Sequence, residues 1–235
     1  MHCHILKGFF LLELLQLGIM SFGIGISGAV SPGPLTIVTM QQSIKKGFFV
    51  GPAMAIGHSA LEIFVVLMIA LGLVNFAQNN QSVENIIGLI GGAVLLFMGK
   101  GLLTLKKDKT LTAIIEPTSS LLNKNLASNS LQWLQLGWLS IVISITNPYF
   151  VIWWLTIGAK IINDGLESGV LGVTSVYFGH ILADFVWLLF LSVIFSSGKN
   201  WINDRVQILI NRFFGMSLIL FGIYFIYNPI IFYLT

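Results

Sequence analysis

The chain has 235 residues, of which 56% are hydrophobic and only 9% charged, and its mean hydropathy is +0.90. Soluble domains carry roughly 25% charged residues, and a globule could not hide this much apolar surface, so the length is counted in membrane spans of about 20 residues each. The net charge of +3 and pI near 9.0 do not mark a nucleic-acid binder, because the twelve Lys and Arg lie between apolar segments and form no basic face with interleaved aromatics.

The first stretch, "MHCHILKGFFLLELLQ", places Lys7 before an apolar run, as in a signal peptide. Glu13 and Gln16 interrupt that run and no clean cleavage site follows, so residues 1–17 read as an N-terminal extension or interfacial lead-in, with Met1 or Met20 as the start. Cys3 is the only cysteine, which excludes an intrachain disulfide and a thiol metal cluster.

Six apolar segments follow, over 18–43, 48–73, 86–105, 132–158, 168–194 and 207–233, each long enough to cross a bilayer as a helix. Polar breaks separate them: "SIKKG", "QNNQSVEN", the long linker 106–131, "KIINDGLES" and "SSGKNWINDR". Lys45, Lys46, Lys106, Lys107, Lys109, Lys124, Lys199 and Arg205 all fall in the first, third and fifth breaks, with Lys100 and Arg212 near the same helix ends. Only Lys7 and Lys160 lie opposite. The positive-inside rule therefore puts those three loops in the cytoplasm and both termini outside, in the cytoplasmic membrane.

The halves resemble one another. "GFFVGPAMAIGHSALE" (47–62) aligns without gaps to "GVLGVTSVYFGHILAD" (169–184), so His58 with His180 and Glu62 with Asp184 are both 122 positions apart. Gly92 and Gly99 of the third span match Gly215 and Gly222 of the sixth, and Pro34 has a loose counterpart in Pro148. A three-span unit ends on the side opposite its start, so its copy enters inverted. The expected fold is an all-α integral membrane protein of six transmembrane helices built as two inverted three-helix repeats, 18–105 and 132–235.

Within the first span, "SGAVSPGPLTIV" sets Pro32, Gly33 and Pro34 where a helix should be continuous. Proline removes an amide donor and clashes with the preceding turn, which frees backbone groups that hydrocarbon cannot satisfy. A matching break is expected at Asn147-Pro148, and paired broken helices are a sequence pointer to a transporter's binding site. The ionisable residues point to the same depth: His58 and Glu62, like His180 and Asp184, are four apart and share one helix face. Intramembrane acids of this kind normally face the bundle interior or a water path. Glu62 with His58 is expected to be the coupling pair and Asp184 with His180 its mirrored gate; two separately capped structural pairs are the bland alternative. Gly47, Gly51, Gly57, Gly88, Gly92 and Gly99 read as packing positions; Trp153 with Trp154 either line a cavity or sit in an interfacial aromatic belt, and their place near a span end favours the belt.

"SPGP", "KKGFFVGPAMAIGH" with an acid four residues on, "NP" opening the second half and a repeated "GH…D" together resemble the lysine-exporter type (LysE/RhtB) family of amino-acid exporters, from about Gly18 onward. The resemblance implies a secondary exporter of amino acids or similar small metabolites, coupled to protons and dimeric, with no cofactor. Leu35 follows Pro-Gly-Pro where the family usually has asparagine, which removes a polar side chain near the site. The alternative is a divalent metal cation exporter using two imidazoles and two carboxylates as mixed nitrogen and oxygen donors. An enzyme is not expected: Ser59 neighbours His58 but points about 100° away on a helix. A purely structural subunit has no use for buried acids, and no P-loop suggests ATP-driven transport.

Overall fold

The computed structural model describes residues 2–73, 81–104, 129–198 and 204–234, all helices and short connections with no strand among them. Nine α-helices lie among these described residues, in chain order α1 His2–Ala29, α2 Pro34–Lys46, α3 Val50–Ala70, α4 Gln81–Thr104, α5 Asn129–Ile145, α6 Pro148–Trp153, α7 Ala159–Glu167, α8 Gly169–Ser197 and α9 Asp204–Leu234, with a π turn over Trp154–Gly158 between α6 and α7. Five described helices are long and apolar enough to cross a membrane, six if the bent segment Leu131–Ile145 with Pro148–Glu167 is one span. The chain is a multi-pass membrane protein. Lys106, Lys107, Lys109, Lys124 and Lys199, and most of the expected linker, lie outside the described residues.

Both expected breaks occur. α2 starts at Pro34 after an extended Gly33 (φ −127°, ψ 172°), and α6 starts at Pro148 after an extended Asn147 (φ −85°, ψ 112°). In each case proline occupies the first helical position, where its missing N–H has no helical acceptor to lose. The Asn147 side chain accepts from the Tyr149 amide at 3.1 Å, whereas Gly33 offers α2 no side-chain cap. α5 and the segment after it meet at 68°.

Packing explains how the pieces form spans. Along the first half of α8, α1 places Glu13 against the Ser168 hydroxyl, the Leu14 carbonyl against the Ser175 hydroxyl, and Ser21 as donor to the Val176 carbonyl at 2.7 Å. α2 then takes over: the Trp187 indole reaches the Thr36 hydroxyl at 3.4 Å, and Ser43 donates to Ser192 at 3.4 Å. The expected first span, 18–43, is thus one path along α8 interrupted at 30–33, not one helix. The lead-in joins it without interruption, since α1 is continuous from His2 and Glu13 is bonded rather than a break. In the second half, α5 runs along the start of α3, where Ser140 donates to the Met54 carbonyl at 2.7 Å. Val66 and Ile69 of α3 then pack with Trp153, Trp154, Ile161 and Ile162.

Lipid is as apolar as leucine, so burial does not drive these contacts; close backbone approach and interhelical hydrogen bonds carry them. A Cβ on Gly57 would collide with the Gly137 backbone, and one on Gly179 with the Gly18 backbone. α4 and α9 cross the same way, with Gly92 against Gly222 and Gly99 against Gly215. Gly51, too, sits tight on Leu188 and Ser192. Gly47 departs from the expected packing role: it ends α2 at φ +89°, a left-handed conformation that glycine adopts without strain, with nothing near its absent side chain.

"KIINDGLES" also departs from expectation, because residues 159–167 are helical. Its pattern is amphipathic: Ala159, Ile161, Ile162 and Gly165 are buried, while Lys160 reaches Asp164 on the exposed face at 3.0 Å. Neighbours four apart on a helix face each other, so the charges that mark a break in hydropathy support a short surface helix.

Candidate functional site

The two breaks open onto one cavity of about 80 Å³, room for several waters. Pro32, Gly33, Pro34, His58, Glu62, Asn147, His180 and Asp184 all line it. Pro148 does not: it starts α6 with its ring pressed on Gly91 of α4, where a Cβ would clash. Its part is to wedge the helix start in place.

α3 and α8 bring their histidines and acids together at the cavity floor. Glu62 is fully buried, and His58, His180 and Asp184 are nearly so. The expected separate pairs are one cluster. Nε2 of His58 lies 3.4 Å from Glu62 Oε1, and Nε2 of His180 lies 3.1 Å from the same oxygen, closer than its 3.6 Å to Asp184 of its own helix. Glu62 therefore links the halves. Beyond these ion pairs, both Glu62 oxygens and Asp184 Oδ2 have no hydrogen-bond partner among the described residues. Buried anions left in that condition are costly unless a cation, proton or water answers them.

The histidines are held differently. Nδ1 of His58 lies 2.7 Å from the Ser144 hydroxyl at the end of α5, and its ring meets Phe150 at 5.3 Å between centroids. Nδ1 of His180 has no hydrogen-bond partner among the described residues and faces Gly25 of α1, where a Cβ would come within 2.8 Å of it. Trp153 and Trp154 are buried with centroids 4.7 and 4.9 Å from the His180 ring, not in an interfacial belt. Hydropathy cannot separate these roles for tryptophan; the π turn that begins at Trp154 and the small Gly28 against the Trp153 indole make room for the rings inside.

Sequence reasoning missed Ser144, Thr36, Tyr149, Phe150 and Trp187, all on the cavity wall. Proximity to the breaks was the one signal available for Thr36, Ser144, Tyr149 and Phe150. Ligand atoms of His58, Glu62 and Asp184 lie within 4.8 Å of one another, a spacing that a metal ion can bridge.

Comparisons with known proteins point to a transporter family. The chain is 23% identical over 208 residues to the "Putative amino acid efflux protein YcgF" of Bacillus subtilis (strain 168), covering 88% of this chain and 93% of that protein. It is 20% identical over 212 residues to the "Uncharacterized membrane protein YahN" of Escherichia coli (strain K12), covering 90% and 89% respectively. No solved structure matches. Residues 26–229 match the family described as LysE type translocator. The chain belongs to the LysE type translocator family and is a transporter, not an enzyme.

Proposed function

We infer that this translocator is a secondary exporter of amino acids or similar small metabolites, coupled to protons, in the cytoplasmic membrane with both termini outside. The observation that carries the reading is the buried cluster of Glu62, Asp184, His58 and His180 at the meeting point of two broken helices. Unsatisfied intramembrane carboxylates beside imidazoles can take up and release protons as a cationic substrate leaves or arrives. Amino acid efflux is also the activity in the name of the Bacillus subtilis relative.

Two inverted repeats, 18–105 and 132–235 joined by a cytoplasmic linker 106–131, are the construction we favour. Reciprocal contacts support it: Gly18 on Gly179 and Gly137 on Gly57, and Ser21 to Val176 and Ser140 to Met54. A homodimer in the bilayer completes the proposal.

A divalent cation exporter is the second reading, supported by the clustering of His58, Glu62 and Asp184. The aromatic lining of the cavity favours an organic substrate over a hydrated ion. Uptake into everted vesicles, with an amino-acid panel beside Mn²⁺ and Cd²⁺, separates the readings. Proton-driven accumulation of amino acids is expected, and accumulation of metals alone would overturn it.

A further inference from the structure

Charge in the cavity is divided between two poles. At one, Glu62 is fully buried and its Oε2 has no hydrogen-bond partner among the described residues, while the nearly buried Asp184 has its Oδ2 met by the His180 ring at 3.6 Å and by no hydrogen bond among those residues. The other is the start of α2, a 13-residue helix whose Leu35 and Thr36 line the same cavity. The first amides of a helix have no acceptor within it and carry the positive end of its dipole. Gly33 gives them no side-chain cap, unlike Asn147, which caps α6 with its own oxygen. Much of the remaining lining is apolar and aromatic, with Trp153, Trp154, Trp187, Phe221, Leu188 and Leu218.

We propose that the cavity holds a zwitterion, with its carboxylate on the Leu35 and Thr36 amides, its ammonium between Glu62 and Asp184, and a neutral apolar side chain on the aromatic wall. This rests on the exporter reading above and narrows it to α-amino acids of the leucine or phenylalanine kind, which exceed the cavity of about 80 Å³ and so bind with its widening. A substrate with one charge leaves one pole unanswered. A lysine-like substrate has to strip water from its second ammonium where the acids are already occupied by the first, and cation–π attraction to the rings offsets only part of that cost.

The two poles are separable by experiment. Counterflow in proteoliposomes loaded with L-phenylalanine is challenged with L-leucine, L-lysine, phenethylamine, which lacks the carboxylate, and 3-phenylpropionate, which lacks the ammonium. Leucine should compete with phenylalanine, and the other three should compete at least tenfold more weakly. Gly33→Asp tests the anion pole. Its carboxylate would cap the α2 amides in place of the substrate, and the backbone there is extended with only an ordinary 3.5 Å contact to Asn147 Nδ2. That variant should lose at least tenfold more phenylalanine transport than Gly33→Ala, while its residual binding of phenethylamine relative to phenylalanine rises. Phenethylamine competing as well as phenylalanine in the unsubstituted protein, or Gly33→Asp and Gly33→Ala losing equally, would overturn the carboxylate site and leave the exporter reading standing. Preference for lysine would overturn the apolar side-chain assignment. Transport of Mn²⁺ with none of the organic probes would overturn the exporter reading itself.

Discussion

His180 of α8 lies closer to Glu62 of α3, at 3.1 Å, than to Asp184 four residues along its own helix, at 3.6 Å. One fully buried carboxylate is thus answered by an imidazole from each half of the chain. Glu62→Gln removes that shared anion and leaves two buried rings beside a neutral amide. We expect gradient-driven efflux to be abolished while substrate exchange, which moves no net proton, survives in part; size-exclusion profiles in detergent report whether the variant is folded. Wild-type transport by both Glu62→Gln and Asp184→Asn across pH 6 to 8 would make the cluster purely structural.

Ser144 holds His58 from α5 at 2.7 Å with both side chains buried. Ser144→Ala removes the partner and leaves Nδ1 of a buried imidazole unpaired, at an expected stability cost of about 1–3 kcal/mol. Thermal melts in detergent measure it. A melting temperature equal to wild type would mean that water replaces the hydroxyl.

Breaking the helix at 30–33 exposes backbone groups to the cavity, and restoring a donor there tests whether that exposure matters. Pro32→Ala with Pro34→Ala gives back two amides and permits a continuous helix. The double variant should reach the membrane folded and transport poorly. Full transport would show the break to be architectural only.

Glycines in this bundle differ sharply in what surrounds them. A Cβ on Gly57 would come within 2.6 Å of Gly137 Cα, whereas Gly23 of α1 has nothing within 4 Å. Since backbone cannot rotate aside, Gly57→Ala has to push α3 from α5, at a cost of about 1–3 kcal/mol or more. Gly23→Ala should be neutral or stabilise the helix by up to about 1 kcal/mol. Comparable melting temperatures for the two variants would contradict the crossing geometry.

Orientation is tested by labelling in a Cys3→Ser background. Cysteines at Leu73 and Glu167, both exposed at helix ends, should react with an impermeant external reagent, and cysteines at Lys45 and Arg205 should not. The opposite pattern would invert the topology.

What the sequence determined by itself is what depends on local covalent chemistry and on period. Apolar runs identify a membrane protein because lipid tolerates little else. Pro34 and Pro148 begin new helices because proline has no amide to donate. His58 and Glu62 share a face because four residues make roughly one helical turn. Tertiary structure decided which face meets which. That Glu62 serves both histidines, that Ser144 holds one of them while Gly25 faces the other, and that Trp153 and Trp154 turn inward follow from how α1 lies along α8 and α5 along α3. Those crossings are fixed by glycine backbones touching glycine backbones across about 80 or 160 positions of sequence. No periodicity in a single chain encodes such a contact, because the residue that removes a side chain to permit it carries no mark of its partner.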